Sequence, residues 1–190
     1  MATVARPRVH TADLRERLVE EATTIVEREG WAALSVRSVA GAADTSTTAV
    51  YSLFGSKDDL ARRVLIAGFE SFAAAQESAD TDDIGALGIA YVGWALEHPR
   101  LFEMMFGTSV AGIEPSDELT VASRRSMAPL HTAVRDAVDR GVFVDADAET
   151  IVASLWAQVH GLAVLLLAGR FPDGADPVAA GQAIVNGWKR

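Results

Sequence analysis

The side chains of this chain whose type and spacing suit recognition chemistry lie close together in its first third. Thr47, Thr48 and Ser52 are short hydroxyl groups in a run that reads as one brief helix, Thr47 to about Phe54. Val50 and Phe54 fall on the other side at helical spacing, so they turn inward towards Val39 while the hydroxyls face out. Small polar groups on a helix anchored from behind can enter a groove about 12 Å wide and hydrogen-bond base edges. Ser46 suits the N-cap, and the backbone N–H groups that follow it form an anion site for phosphate. Tyr51 combines an apolar ring with a hydroxyl that reaches a backbone phosphate. Lys57, opening the next helix, can touch the same strand. The chemistry on offer is recognition of double-stranded DNA.

Signals for bond-making chemistry are missing from the sequence. It contains no HExxH, no Gly-rich phosphate loop and no GxSxG elbow. The absence of cysteine removes disulfides, thiolate zinc sites, iron–sulfur clusters and cysteine nucleophiles. His98, His131 and His160 coexist with many carboxylates, but no spacing singles out a catalytic set. Neither an enzyme nor a metal or cofactor site is expected.

The elements that must position the recognition residues read as helices. Leu14, Leu18, Ala22 and Ile25 mark one face of a first helix that stops at Gly30. Trp31 and Leu34 lie in a short connection, and Ser35 caps a brief helix, Val36 to Ala42. Asp44-Thr45-Ser46 breaks the chain before the Thr47 helix, which ends at Gly55. Ser56 and Asp59 have capping-box spacing at the start of a helix running to about Glu77. After the polar stretch 78–83 come a helix to His98, a short one after Pro99, and a long one from about Ser116 to Arg140, where Pro129 predicts a kink. An apolar helix from Asp147 to Ala168 and a last helix from Pro177 to about Trp188 complete an all-α fold. The expected division is a helix-turn-helix domain at 1–55, a connecting helix at 56–77, and a larger helical domain at 78–190.

The order of these parts resembles the TetR family of one-component repressors, from Leu14 to Leu60. The strongest match is residues 49–60, AVYSLFGSKDDL, similar to that family's Tyr-x-x-Phe-x-x-Lys-x-x-Leu signature. Trp31 and Leu34-Ser35-Val36-Arg37 precede it at the family's spacing. The resemblance implies that Thr47, Thr48 and Ser52 face bases, and that Arg37, Tyr51 and Lys57, with Ser35 beside them, hold phosphates. This chain departs from the family by having Asp44-Thr45 where Gly-Val is usual and Thr48 where Gly is common. Asp44 tolerates a left-handed backbone better than most residues. Arg6 and Arg8 form a short basic arm, read either as a minor-groove contact or as a loose tail.

Farther along, Trp156-x-x-x-His160-Gly161 is similar to a ligand-domain subfamily named for its Trp-His-Gly pattern. Ala95-Leu96-Glu97-His98-Pro99, followed by Leu101-Phe102 and Met105-Phe106, is similar to it too. Trp94, Phe102, Met105, Phe106, Trp156 and His160 are therefore candidates for an apolar ligand pocket, against the plainer alternative that they are core. The resemblance also implies a four-helix bundle across a two-fold axis, built from the helices 118–140 and 147–168. Leu130, Val134, Val138, Leu155, Val159, Leu162 and Leu166 keep helical spacing and would supply its seam, with Gly161 allowing close approach.

Charge sharpens this division. The chain has 190 residues and a net charge of −9. Residues 1–66 hold nine basic and nine acidic side chains, so the whole deficit lies in residues 67–190. A neutral head predicts modest, salt-sensitive DNA affinity that depends on dimerisation. The N-terminus lacks a secretory h-region, which leads us to expect a cytoplasmic protein. The stretch 151–168 is long and apolar enough to imitate a membrane span, but Gln158 and His160 interrupt it, so a buried or interfacial helix is expected instead. The sequence thus predicts a homodimeric repressor that binds a pseudo-palindromic operator and is released by a small apolar effector. The rival readings are a DNA-binding dimer without a ligand, or a helical enzyme or carrier that retains the head.

Overall fold

The computed structural model describes residues 9–107, 112–144 and 146–190, with side chains from residue 11 onward. Arg6 and Arg8 lie outside the described residues. Nine α-helices occur among the described residues: α1 (Val9–Glu29), α2 (Val36–Ala42), α3 (Thr47–Phe54), α4 (Lys57–Ser78), α5 (Ile84–Glu97), α6 (Pro99–Phe106), α7 (Asp117–Asp139), α8 (Ala148–Leu167) and α9 (Pro177–Asn186). A single 3-10 turn, Trp31–Ala33, follows α1. The fold is all-helical, and α7 is one element through Pro129.

The helices form two compact units, and the boundary differs from the expected one. The first unit takes the described residues of Met1–Gly68 together with Arg100–Thr120; the second takes Phe69–Pro99 and Val121–Arg190. The division falls inside α4, and α6 returns to the first unit. A continuous helix gives no local sign of where its packing partners change, which is why residues 55 and 78 looked like natural boundaries.

In the first unit α1 packs on α2 and the 3-10 turn, and α2 packs on α3. Leu18, Ala22 and Val26 are the buried face of α1, with Ile25 only half-buried. Leu34, Val39 and Val50 are essentially inaccessible. Leu101 and Met105 of α6 lie against Gly68 so closely that a Cβ there would meet the Met105 sulfur at 2.7 Å.

The second unit is built on α5, α8 and α9, each packed on the other two. Its core joins Ile84 and Leu87 of α5, Ala133, Val134 and Ala137 of α7, Phe143, and Ile151, Val152 and Leu155 of α8. The C-terminus is tied back: Val144 N–H donates to the Trp188 carbonyl at 2.9 Å, and Arg190 N–H to that of Val142 at 3.1 Å. Phe143 and Lys189 thereby form an isolated antiparallel bridge. Sequence periodicity extended α9 to Trp188, but the helix ends at Asn186 and Trp188 belongs to this clasp. Among the described residues, α8 is the one helix long and apolar enough to cross a membrane. Its packing on α5 and α9 accounts for one side of that apolarity.

Candidate nucleic-acid interface and apolar cavity

Local chemistry fixes α3. Ser46 caps it, its hydroxyl accepting from Ala49 N–H at 3.1 Å. Gly55, at φ 78°, lets the chain leave the helix. Before α3, α2 closes in a Schellman motif: Thr45 N–H donates to the Ala40 carbonyl at 2.9 Å and Asp44 N–H to that of Gly41 at 3.3 Å. Asp44 occupies the left-handed position at φ 48°, as its place in the turn led us to expect. Gly141 and Gly169 hold the equivalent positions after α7 and α8.

The result is a two-sided helix. Thr47, Thr48, Tyr51 and Ser52 are exposed on one face, Tyr51 to 54%, while Val50 and Phe54 are buried. Arg15 of α1 braces the C-terminal end: its guanidinium donates to the Leu53 carbonyl at 3.0 Å and lies 5.0 Å from the Phe54 ring centre. A cation at the carbonyl end satisfies orphan acceptors and opposes the helix dipole. The sequence reading missed this contact, which spans 38 residues.

The flanking candidates divide. Arg37 is exposed on α2. Lys57 is half-buried, with its ammonium 4.6 Å above the Trp31 ring, a cation–π contact that orders a long flexible side chain. Ser35 is committed to structure. Its hydroxyl accepts from Ser38 N–H at 3.0 Å while the Ser38 hydroxyl takes the Ser35 N–H, a complete capping box. At Ser56 the box is altered: Asp59 N–H donates to the Ser56 hydroxyl at 3.0 Å, and that hydroxyl donates to the Asp59 carboxylate at 2.7 Å. This hydrogen bond, then Arg62, holds the Asp59 carboxyl below the usual carboxylate range.

The second unit contains a cavity of about 340 Å³ between α4, α5, α7, α8 and α9. Of the six aromatic and sulfur-bearing candidates, Trp156 alone lines it. Phe102, Met105 and Phe106 belong to the first unit, where the two Phe rings sit 5.0 Å apart. Trp94 is buried, but its indole N–H donates to the Ser71 hydroxyl at 3.1 Å and its ring packs on Phe72. His160 is turned to Tyr91, whose hydroxyl lies 2.9 Å from Nδ1. Burial pushes the Tyr91 phenol up to about 12, against the opposing Trp156 hydrogen bond, and burial lowers the His160 imidazole.

The residues expected at the interface seam also contribute to the cavity and the core of the second unit. Leu130, Leu155, Val159, Leu162 and Leu166 line the cavity, and Val134 is fully buried in the core beneath a half-buried Val138. Val134, Leu155 and Leu162 are buried, whereas Leu130, Val138, Val159 and Leu166 are half-buried. The cavity residues that spacing did not reveal include Gln76, Tyr91 and the glycines of α5 and α9. A glycine in a helix normally reads as a weakness, yet Gly88 and Gly181 line the cavity, and a Cβ on either would stand 3.9 Å from Val159 or Leu162. Among the described residues no group of three or more His, Asp or Glu could hold a metal ion.

Comparison with known proteins accounts for both regions. Residues 18–64 match the model of bacterial regulatory proteins of the tetR family, and residues 84–186 match that of the tetracyclin repressor-like C-terminal domain. A Mycobacterium tuberculosis protein described as an uncharacterized HTH-type transcriptional regulator is 28% identical over 90% of this chain and 77% of its own length. A solved structure of a Rhodococcus protein of unknown function is 28% identical, with a TM-score of 0.79 over 93% of this chain and 96% of that one. The multidrug binding protein EbrR, solved with imidazole, shares the fold at 20% identity, TM-score 0.70, over 97% and 95% of the two chains. This chain belongs to the TetR family of DNA-binding transcriptional regulators, which are not enzymes.

Proposed function

We propose that the chain is a cytoplasmic, homodimeric repressor whose second unit senses a small apolar effector. The observation that carries this reading is the division of α3 into a polar exposed face and a buried one, within a head of this family. Thr47, Thr48 and Ser52 read base edges. Tyr51, Lys57, Arg37 and the start of α3 hold phosphates and set the register. Ser35 contributes through its cap, since its hydroxyl is already engaged. Two copies present two recognition helices about 34–36 Å apart, so the operator is a pseudo-palindrome.

The dimer seam lies on the outer side of α8. Ala153, Ala157, Gly161, Val164 and Ala168 recur at helical spacing, and all but the half-buried Gly161 are exposed. Leu165 and, on α9, Val178 add exposed apolar surface at 42% and 59%. Small side chains let two copies of α8 approach closely, and burial of this surface is favourable.

Effector control acts through α4. The helix that begins at Lys57 continues to Phe72 and Gln76 in the cavity wall. A ligand that prefers one position of α4 shifts the population of heads able to bind; moving 1:99 to 99:1 needs about 5.5 kcal/mol of preference. That EbrR binds drugs on the same fold supports the sensor assignment. Selection of genomic fragments by the purified chain tests the proposal. Enrichment of a two-fold symmetric site next to a small set of genes is expected, and failure to enrich any fragment at low salt refutes it.

A further inference from the structure

The cavity has a specific chemistry. Among the described residues no Lys, Arg, Asp, Glu or His lines it. Most of the wall is aliphatic, with Phe72, Tyr91 and Trp156 as its aromatic side chains. The polar side chains are few, and all but one are occupied or lie at the surface. Ser126 donates to the Ser123 carbonyl at 2.7 Å. Tyr91 is held between His160 and Trp156. Gln182 is exposed, with its carboxamide 3.1 Å from where a Cβ on Gly85 would stand.

Gln76 is different. It is 4% exposed, and its Nε2 donates to the Leu87 carbonyl at 3.3 Å. That carbonyl can only accept, which fixes the amide with Oε1 as the remaining acceptor. No donor among the described residues reaches Oε1. Among the described residues no fully enclosed polar side-chain atom lacks a partner, so Oε1 keeps accessible surface, and Gln76 lines the cavity. A ligand that displaces water from this space leaves that acceptor unsatisfied unless it brings a donor of its own.

We infer that the cavity takes an uncharged, hydrocarbon-rich molecule carrying one hydroxyl or N–H group, which it donates to Oε1 of Gln76. The inference rests on reading the cavity as the effector site and assigns the chemistry of that effector. Charge is excluded because nothing in the wall would pair with it. The space is small too: about 340 Å³ lies at the lower end of ligand pockets. An alcohol or phenol of medium length fits these demands.

A matched series tests this by titration calorimetry on the full-length protein without DNA. The probes are 1-nonanol, its isomer 1-methoxyoctane (an acceptor without a donor), nonanoate and nonylammonium. The alcohol is expected to bind about tenfold more tightly than the ether, and both ions at least about a hundredfold more weakly. Gln76→Leu should equalise alcohol and ether. Gly88→Leu, whose Cβ would meet Val159 at an ordinary 3.9 Å and whose remaining atoms would occupy the cavity, should abolish binding while leaving the melting temperature close to that of the parent. Ions binding as well as the alcohol, no binding by the alcohol, or an unchanged alcohol preference in Gln76→Leu each overturn the inference. Repeating the titration with an operator fragment present separates the two claims. Binding with the expected preference but without release of DNA leaves the ligand class standing and rejects effector control.

Discussion

The outer face of α3 and the cavity of the second unit are both candidate binding surfaces, yet they are made in opposite ways. The α3 face is a local object. Thr47, Thr48, Tyr51 and Ser52 share it because they lie one and four residues apart on a single helix, and the capped start and glycine stop are written beside them. The cavity is assembled from five helices, and its central polar group, Gln76, sits among residues far from it in sequence. A surface that must fit a fixed groove is set by helical spacing, whereas an internal space is whatever side chains leave unfilled.

Disrupting the proposed dimer should have the largest effect. Ala157→Arg puts a charge on the exposed stripe of α8 and is expected to give a monomer by sedimentation, with operator affinity at least about a hundredfold lower. The cavity would be untouched, so ligand binding by the monomer should persist. An Ala157→Arg dimer with normal DNA binding would place the seam elsewhere.

Phe54→Ala separates the two regions by stability. Phe54 is buried behind the α3 face and covered by Arg15, so its truncation should cost the head about 3–5 kcal/mol. Calorimetry should show the first unit melting earlier while the second keeps its transition. A smaller change works in the other direction. Asp44→Gly relieves the left-handed strain at φ 48° and should stabilise the head by about 1 kcal/mol. It also removes an acidic group beside the recognition helix, so operator affinity should rise. A loss of head stability in this variant would contradict the Schellman reading of the turn.

The smallest predicted effect lies at the edge of the cavity. Burial lowers the His160 imidazole from its ordinary value of 6.5, so the unfolded chain takes up that proton first as pH falls. The group's contribution to stability is therefore complete above about pH 6.5 and declines below it. His160→Gln should flatten the fall in melting temperature between pH 7.5 and 5.5, and an identical fall in both proteins would remove the assignment.

The same contrast explains what could be read in advance. Ser46, Gly30 and Gly55 marked helix ends, Val50 and Phe54 marked the inner side of α3, and Asp44 marked the left-handed turn, because each effect acts within a few residues. Arg15 bracing Leu53, Ser38 completing the cap at Ser35, and Phe143 pairing with Lys189 depend on where distant segments meet. Aromatic residues attracted attention as pocket candidates, but Trp94, Phe102 and Phe106 are large and apolar enough to be absorbed by packing. The cavity instead opens where glycines decline to fill it, at Gly88 and Gly181, and a missing side chain leaves no positive signal in a sequence.

The central claim is that the exposed hydroxyls of α3 read bases while its flanks hold phosphates. Enrichment of random DNA by the parent protein and by a Thr47→Ala, Thr48→Ala, Ser52→Ala variant, with the salt dependence of binding measured for each, tests it most directly. The parent should enrich a symmetric site with half-sites one helical turn apart. The variant should lose that preference and keep the same salt slope, since its phosphate contacts remain. A variant that enriches the same site as the parent would contradict the account.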